Sequence, residues 1–295
     1  MIDFSGFETR LAALVPDPLT DIHDESIAGL HTRWCNRSPS VEDVVIVYHG
    51  GGAMIDGGYE QLGTHLCRSG DITACLVDIR GHGHSPGPRG QAPSPMAAWD
   101  DVATVVTAAR KRYPSARVHL LGHSSGAGLI LNAITRRPDP PDVTSIILLA
   151  PELGPFLPGK KAHADPDAFA TARLWPFVIN AMSGGRLCRH TLAVTLNYPK
   201  ALANKGFVTH YGVAMAQALT PSQPVAQLSR LKTPTLVCLA GRDDLLPNDL
   251  LTAAIASASN PNIGIETSPQ STHLGILLDD TTAITDWMAR TARLS

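Results

Sequence analysis

The sequence predicts an α/β fold: a parallel sheet covered by helices on both faces and interrupted once by an irregular stretch. Three observations carry this. Apolar runs without polar alternation recur at helix-length intervals, most of them end in Gly-rich or Pro-rich turns, and the rhythm stops between residues 152 and 222 before resuming.

Residues 44–48 (Val-Val-Ile-Val-Tyr) are the first buried-strand run, followed by a Gly-rich loop and a helix-length segment at 59–69. Residues 72–77 form a second strand, again ending in a Gly-rich loop. Ser94-Pro95 pairs an N-cap residue with proline in the first turn, which opens a helix over 96–112. Trp99, Val102, Val106 and Ala109 share one face of that helix, and Pro114 stops it. Residues 118–121 are a third strand and 126–137 a third helix, closed by Pro138-Asp139-Pro140-Pro141. A fourth strand covers 143–149. Between 152 and 222 no strand is expected, only short helices at 175–179 and 207–218. The alternation then resumes with a strand at 234–239, a helix at 249–258, a strand at 262–266 and an amphipathic helix at 281–293. The expected organisation is therefore a core made of 1–151 and 223–295, with a helical cap at 152–222.

Composition narrows the functions. The 295 residues carry a net charge of −2, which leaves no electrostatic footprint for nucleic acid and no polybasic address for an anionic membrane. No apolar run approaches the roughly 18 residues of a membrane span. The five cysteines are odd in number and contain no CxxC, arguing against a disulfide framework and a structural zinc. Asp3, Glu8 and Arg10 interrupt any signal-peptide pattern, so a reduced, cytoplasmic setting is expected.

Gly122-His123-Ser124-Ser125-Gly126 fits G-x-S-x-G between a strand and a helix. A sharp strand-to-helix turn strains the central serine and lifts its hydroxyl above the sheet, while the flanking glycines let neighbouring backbone pass. This selects Ser124 as nucleophile; a frame centred on Ser125 lacks both glycines. A serine needs a base, and the base an orienting carboxylate, in the order Ser, acid, His. Four histidines follow Ser124, namely His163, His190, His210 and His273. Only His273 falls between the last short strand and the closing helix, where the base belongs. Gly241-Arg242-Asp243-Asp244 follows a strand and supplies the acid; Asp244 ranks first, Asp243 second and Glu152 third. Tyr48-His49-Gly50-Gly51-Gly52 ends the first strand and can offer backbone N–H groups to an oxyanion. The expected donors are Gly51 and Ser125, with His49 in a structural role. Asp78-Ile79-Arg80-Gly81-His82-Gly83-His84-Ser85 completes neither a dinucleotide fingerprint nor a metal site, and Asp78 and Arg80 are expected to pair or to cap backbone.

Together these segments resemble the α/β-hydrolase superfamily and, within it, the monoglyceride lipase / lysophospholipase branch, also labelled serine aminopeptidase-like. The resemblance runs from about residue 26 onward. It implies an eight-stranded, mostly parallel sheet, a cap after the sixth strand, and Ser124, His273 and Asp244 as triad. It also implies hydrolysis of a small-molecule ester, monoacylglycerol-like or lysophospholipid-like, through an acyl-enzyme, with no cofactor or metal. Leu153, Phe156, Leu157, Trp175, Phe177, Val178, Met182 and Phe207 of the cap are expected to line the acyl site, with Phe156, Trp175, Phe177 and Met182 foremost. The alternatives on the same scaffold are an aminopeptidase, a carbon–carbon bond hydrolase, a cofactor-free perhydrolase and a non-catalytic binding protein.

Overall fold

The computed structural model describes residues 2–15, 17–68, 71–158 and 168–293, so His163 lies outside the described residues. In chain order they form α1 (Phe4–Ala12), β1 (Asp21–Ile27), β2 (Leu30–Asn36), β3 (Asp43–Tyr48), α2 (Tyr59–Cys67), β4 (Ile72–Val77) and α3 (Pro95–Arg112). Then come β5 (Arg117–His123), α4 (Ser125–Arg136) and β6 (Ser145–Leu149). The interrupting stretch holds β7 (Ala170–Ala172), α5 (Leu174–Met182), β8 (Leu192–Leu196), α6 (Lys200–Asn204), β9 (His210–Gly212) and α7 (Val213–Leu219). The chain continues through α8 (Pro224–Ser229), β10 (Thr235–Ala240), α9 (Asn248–Ala258), β11 (Ile263–Ser268) and α10 (Thr282–Thr291).

Eight strands form the central sheet in the order β1-β2-β4-β3-β5-β6-β10-β11. The β1–β2 and β2–β4 pairs are antiparallel, and the six strands from β4 to β11 run parallel. Adjacent residues of β3 face opposite sides, as the pleat requires. Val44, Ile46 and Tyr48 enter one apolar cluster with α3, α4, α7, α8 and α9; Val45 and Val47 enter the other with α2 and α10. Burial on both faces explains why these strands show no polar alternation. Ser94 caps α3 by accepting the N–H of Ala97 at 3.1 Å, and Trp99, Val102, Val106 and Ala109 form the buried face of that helix.

Parallel registration brings the chemistry to one edge. Tyr48 pairs with Gly122, His123 with Leu149, Leu149 with Cys238, and Ala240 with Ser268. The loops leaving β3, β5, β10 and β11 therefore emerge side by side at the carboxyl ends of their strands, where sites in open α/β sheets form.

The stretch 152–222 differs from its expected all-helical form. β7, β8 and β9 build a separate three-stranded antiparallel sheet. Two of these strands are three residues long and β7 is fully exposed, so neither carries a readable pattern. The segment expected as one helix at 207–218 splits into β9 and α7. α7 joins the core: Ala218 O accepts both Trp99 Nε1–H and Asn132 Nδ2–H, each at 3.0 Å.

Candidate active site

Ser124 sits between β5 and α4 with φ 53° and ψ −119°. A non-glycine residue held there costs about 1–3 kcal/mol. The surroundings hold it from both sides: Ser124 N–H donates to Leu149 O at 2.9 Å, and Ser124 O accepts Glu152 N–H at 3.1 Å. Close backbone passage explains the glycines. A Cβ on Gly122 would lie 2.5 Å from Ala127 N, and one on Gly126 would lie 2.7 Å from His49 O.

Ser124 Oγ lies 3.0 Å from His273 Nε2, and His273 Nδ1 lies 2.9 Å from Asp243 Oδ2. All three side chains are buried. Asp243 Oδ1 also accepts the N–H groups of Leu245 at 2.9 Å and Leu246 at 2.7 Å. Burial pushes the Asp243 pKa up, but these hydrogen bonds and the imidazole outweigh it and hold the carboxyl below its ordinary value. It is ionised at neutral pH and orients the imidazole with Nδ1–H toward itself.

This corrects the ranking of Asp244 as the acid. Asp243 closes a tight turn off β10, its N–H donating to Ala240 O at 3.1 Å, and that turn aims its carboxylate at the imidazole. Asp244 instead binds main chain: Oδ1 accepts His273 N–H at 3.2 Å and Oδ2 accepts Asp3 N–H at 2.7 Å. Glu152 turns its carboxylate to Gly154 N–H at 2.6 Å.

The loop after β3 lies against the elbow: a Cβ on Gly51 would sit 3.0 Å from Ser125 Oγ. Neither Gly51 N–H nor Ser125 N–H donates to a group among the described residues. Three tyrosines fix this loop, which the sequence did not indicate. Gly50 N–H donates to Tyr59 Oη at 2.7 Å, Tyr198 Oη–H donates to Gly51 O at 2.5 Å, and Gly52 N–H donates to Tyr211 Oη. Two of these hydroxyls continue into buried histidines. His123 Nε2–H donates to His273 O at 3.0 Å, so its Nδ1 accepts Tyr59 Oη–H at 2.7 Å. His82 Nδ1–H donates to Arg80 O at 3.0 Å, so its Nε2 accepts Tyr211 Oη–H at 3.0 Å. His49 is the structural residue its position suggests, joining Gly50 O and Ile79 N–H. Asp78 caps backbone, accepting the N–H groups of Ile55 and His84, each at 2.8 Å, whereas Arg80 pairs with Asp101.

Removing the Tyr211 hydroxyl leaves the Gly52 N–H buried and unpaired, at a cost of about 1–3 kcal/mol. Tyr211→Phe is expected to lower Tm by several degrees and kcat about tenfold with KM little changed. Thermal melts and steady-state kinetics check both.

The buried histidines also set an acid limit. Burial lowers the pKa of His82 and of His123 to about 3, and lowers that of His49. In the unfolded chain each titrates near 6.5. Below that pH the unfolded state binds protons that the folded state refuses, so stability falls as pH drops from about 6.5 toward 3. Each group contributes a slope of up to about 1.4 kcal/mol per pH unit. Tm is expected to fall steeply between pH 6.5 and 5; an unchanged Tm across that range contradicts the neutral assignment.

The foremost acyl-site residues expected of the cap are placed otherwise. Phe156, Trp175 and Met182 are exposed at 60%, 53% and 85%, and Phe177 packs, partly buried, against the larger core cluster. Of the expected liners, Phe207 borders the apolar cavity beside the site, whereas Phe156, Trp175, Phe177 and Met182 do not. That cavity is walled by Phe4, Phe7 and Leu11 of α1, together with Ala53, Tyr198, Phe207 and Leu274 among others. Among the described residues, no group of three or more His, Cys, Asp or Glu side chains could hold a metal. No helix there is long and apolar enough to cross a membrane.

A mostly parallel eight-stranded sheet with a strained serine above its carboxyl edge defines an α/β-hydrolase. The family model for serine aminopeptidase S33 matches residues 39–280. The chain belongs to that hydrolase family, in its monoglyceride lipase branch. Monoglyceride lipase of Rattus norvegicus is 28% identical over 227 residues, which cover 73% of this chain and 70% of the lipase. Two solved structures share the fold. A soluble variant of monoglyceride lipase from Saccharomyces cerevisiae, in complex with a substrate analog, has a TM-score of 0.64 at 15% identity, covering 96% of this chain and 97% of its own. Est1E from Butyrivibrio proteoclasticus, with ferulic acid bound, has a TM-score of 0.62 at 17% identity, covering 92% of this chain and 99% of its own.

Proposed function

We propose that this chain is a serine hydrolase of monoacylglycerol-like carboxylic esters, acting through an acyl-enzyme. The observation that carries the reading is the continuous chain of contacts from Ser124 Oγ to His273 Nε2 and from His273 Nδ1 to Asp243. In the first step His273 takes the Ser124 proton as Oγ attacks the acyl carbonyl. The N–H groups of Gly51 and Ser125 hold the developing oxyanion. His273 then passes the proton to the leaving alcohol. In the second step it deprotonates water, whose oxygen attacks the acyl-enzyme carbonyl, and His273 returns that proton to Ser124 Oγ as the Oγ–acyl bond breaks and the acid leaves. Asp243 stabilises the imidazolium throughout and stays ionised.

Ester rather than peptide substrates are favoured by the charges around the adjacent cavity. A free amino terminus needs an unpaired carboxylate. Glu8 is paired with Lys205 at 2.8 Å and Asp56 with Arg33 at 2.6 Å, so the two acids that line the cavity are engaged. The rat relative's name supports a glycerol ester. So does the apolar outer face of α5, where Leu174, Trp175, Val178 and Met182 meet solvent.

The test sets monoacylglycerols and p-nitrophenyl esters against aminoacyl p-nitroanilides on the purified protein. Ester turnover is expected to exceed anilide turnover by at least a hundredfold in kcat/KM. Faster anilide cleavage overturns the ester reading.

A further inference from the structure

α1 is tied to both the core and the interrupting stretch. Asp3 caps it by accepting Gly6 N–H at 2.9 Å, and Asp3 N–H is held by Asp244. Arg10 pairs with Asp279 at 2.9 Å and Glu8 with Lys205 at 2.8 Å. The Phe4 ring packs on Tyr198, centroids 5.3 Å apart, and Tyr198 in turn grips Gly51 O. Under the helix lies an apolar cavity of about 170 Å3, with Phe7, Leu11 and Phe207 on its walls. It lies beside the segments that carry the reaction centre: of its walls, Leu274 follows the base directly, Ala53 is two residues past Gly51, and Tyr59 and Tyr198 bond Gly50 N–H and Gly51 O.

We propose that this cavity binds the acyl group of the substrate, and that α1 is the wall that limits acyl length. The proposal rests on the ester-hydrolase reading and deepens it. Every side of the cavity is apolar except for the Glu8–Lys205 pair and the Asp56 carboxylate, which suits a hydrocarbon chain. Water's share of liquid volume is about 30 Å3 per molecule, so the space holds roughly five or six heavy atoms. The class of substrate is accordingly a short-chain ester with an acyl group near six carbons. Longer chains require α1 to shift.

The experiment is a p-nitrophenyl ester series from acetate to palmitate on the 295-residue chain and on Leu11→Trp and Phe7→Ala. The wild-type optimum is expected near hexanoate, at least tenfold above palmitate in kcat/KM. Leu11→Trp fills the cavity and is expected to lower the hexanoate-to-acetate ratio at least tenfold. Phe7→Ala enlarges it and moves the optimum to longer chains. Leu11 is only half-buried, so Leu11→Trp keeps the test open if Phe7→Ala fails to fold. Turnover of acetate with a chain-length profile that neither variant alters overturns the acyl-pocket assignment alone. Absence of turnover on every ester, in folded protein, overturns the underlying hydrolase reading instead.

Discussion

Ser124→Ala is expected to lower kcat about a million-fold, on the scale seen when a triad nucleophile is removed. KM stays within a few-fold, because the substitution deletes one oxygen from a residue whose backbone is held by Leu149 O and Glu152 N. The neighbouring hydroxyl does not rescue it. Ser125 begins α4 with its Oγ against the Gly51 backbone, while the His273 imidazole bonds Ser124. Esterase assays with circular dichroism as the folding control check the result, and Ser125→Ala provides the contrast. Loss on the Ser125 variant with retention on the Ser124 variant reverses the assignment.

The second large effect separates two adjacent aspartates. Asp243→Asn is expected to lower kcat about ten-thousand-fold, because an amide can present a donor to His273 Nδ1 and favour the wrong tautomer. Asp244→Asn is expected to cost less than tenfold, since Asp244 accepts the main-chain N–H groups of His273 and Asp3 rather than the imidazole Nδ1–H, and an amide oxygen can still accept one of them. Its main effect falls on the seating of α1. Equal losses in the two variants contradict the geometry.

The parallel sheet, the elbow and His273 were legible because each rests on a strong local signal. Doubly buried strands read as uninterrupted apolar runs, and the elbow glycines are required by backbone that passes too closely for a Cβ. Adjacent aspartates carry no such signal. Which one meets the imidazole depends on a turn from Ala240 to Asp243 that has no distinctive composition. The tyrosine clamps were illegible because Tyr198 and Tyr211 lie about 150 residues from the glycines they hold. β1 was missed because its Asp-Ile-His-Asp-Glu-Ser-Ile sequence is that of an exposed edge strand. Its hairpin signal is the Ala28-Gly29 turn, where both residues take positive φ. The cap residues Phe156, Trp175 and Met182 looked like pocket walls because they are large and apolar, yet exposure is decided by tertiary packing. The apolar cavity beside the site is walled in part by α1, which lies within the first 25 residues, before the resemblance begins.

The most direct test of the central claim is labelling with a fluorophosphonate probe followed by peptide mass spectrometry. The nucleophile must be activated for the probe to react, so the label reports the coupled serine and imidazole together. The account predicts one stoichiometric adduct on Ser124, abolished in Ser124→Ala, slowed at least a hundredfold in Asp243→Asn and retained in Asp244→Asn. Folded protein that takes no label, or takes it on Ser125, contradicts it.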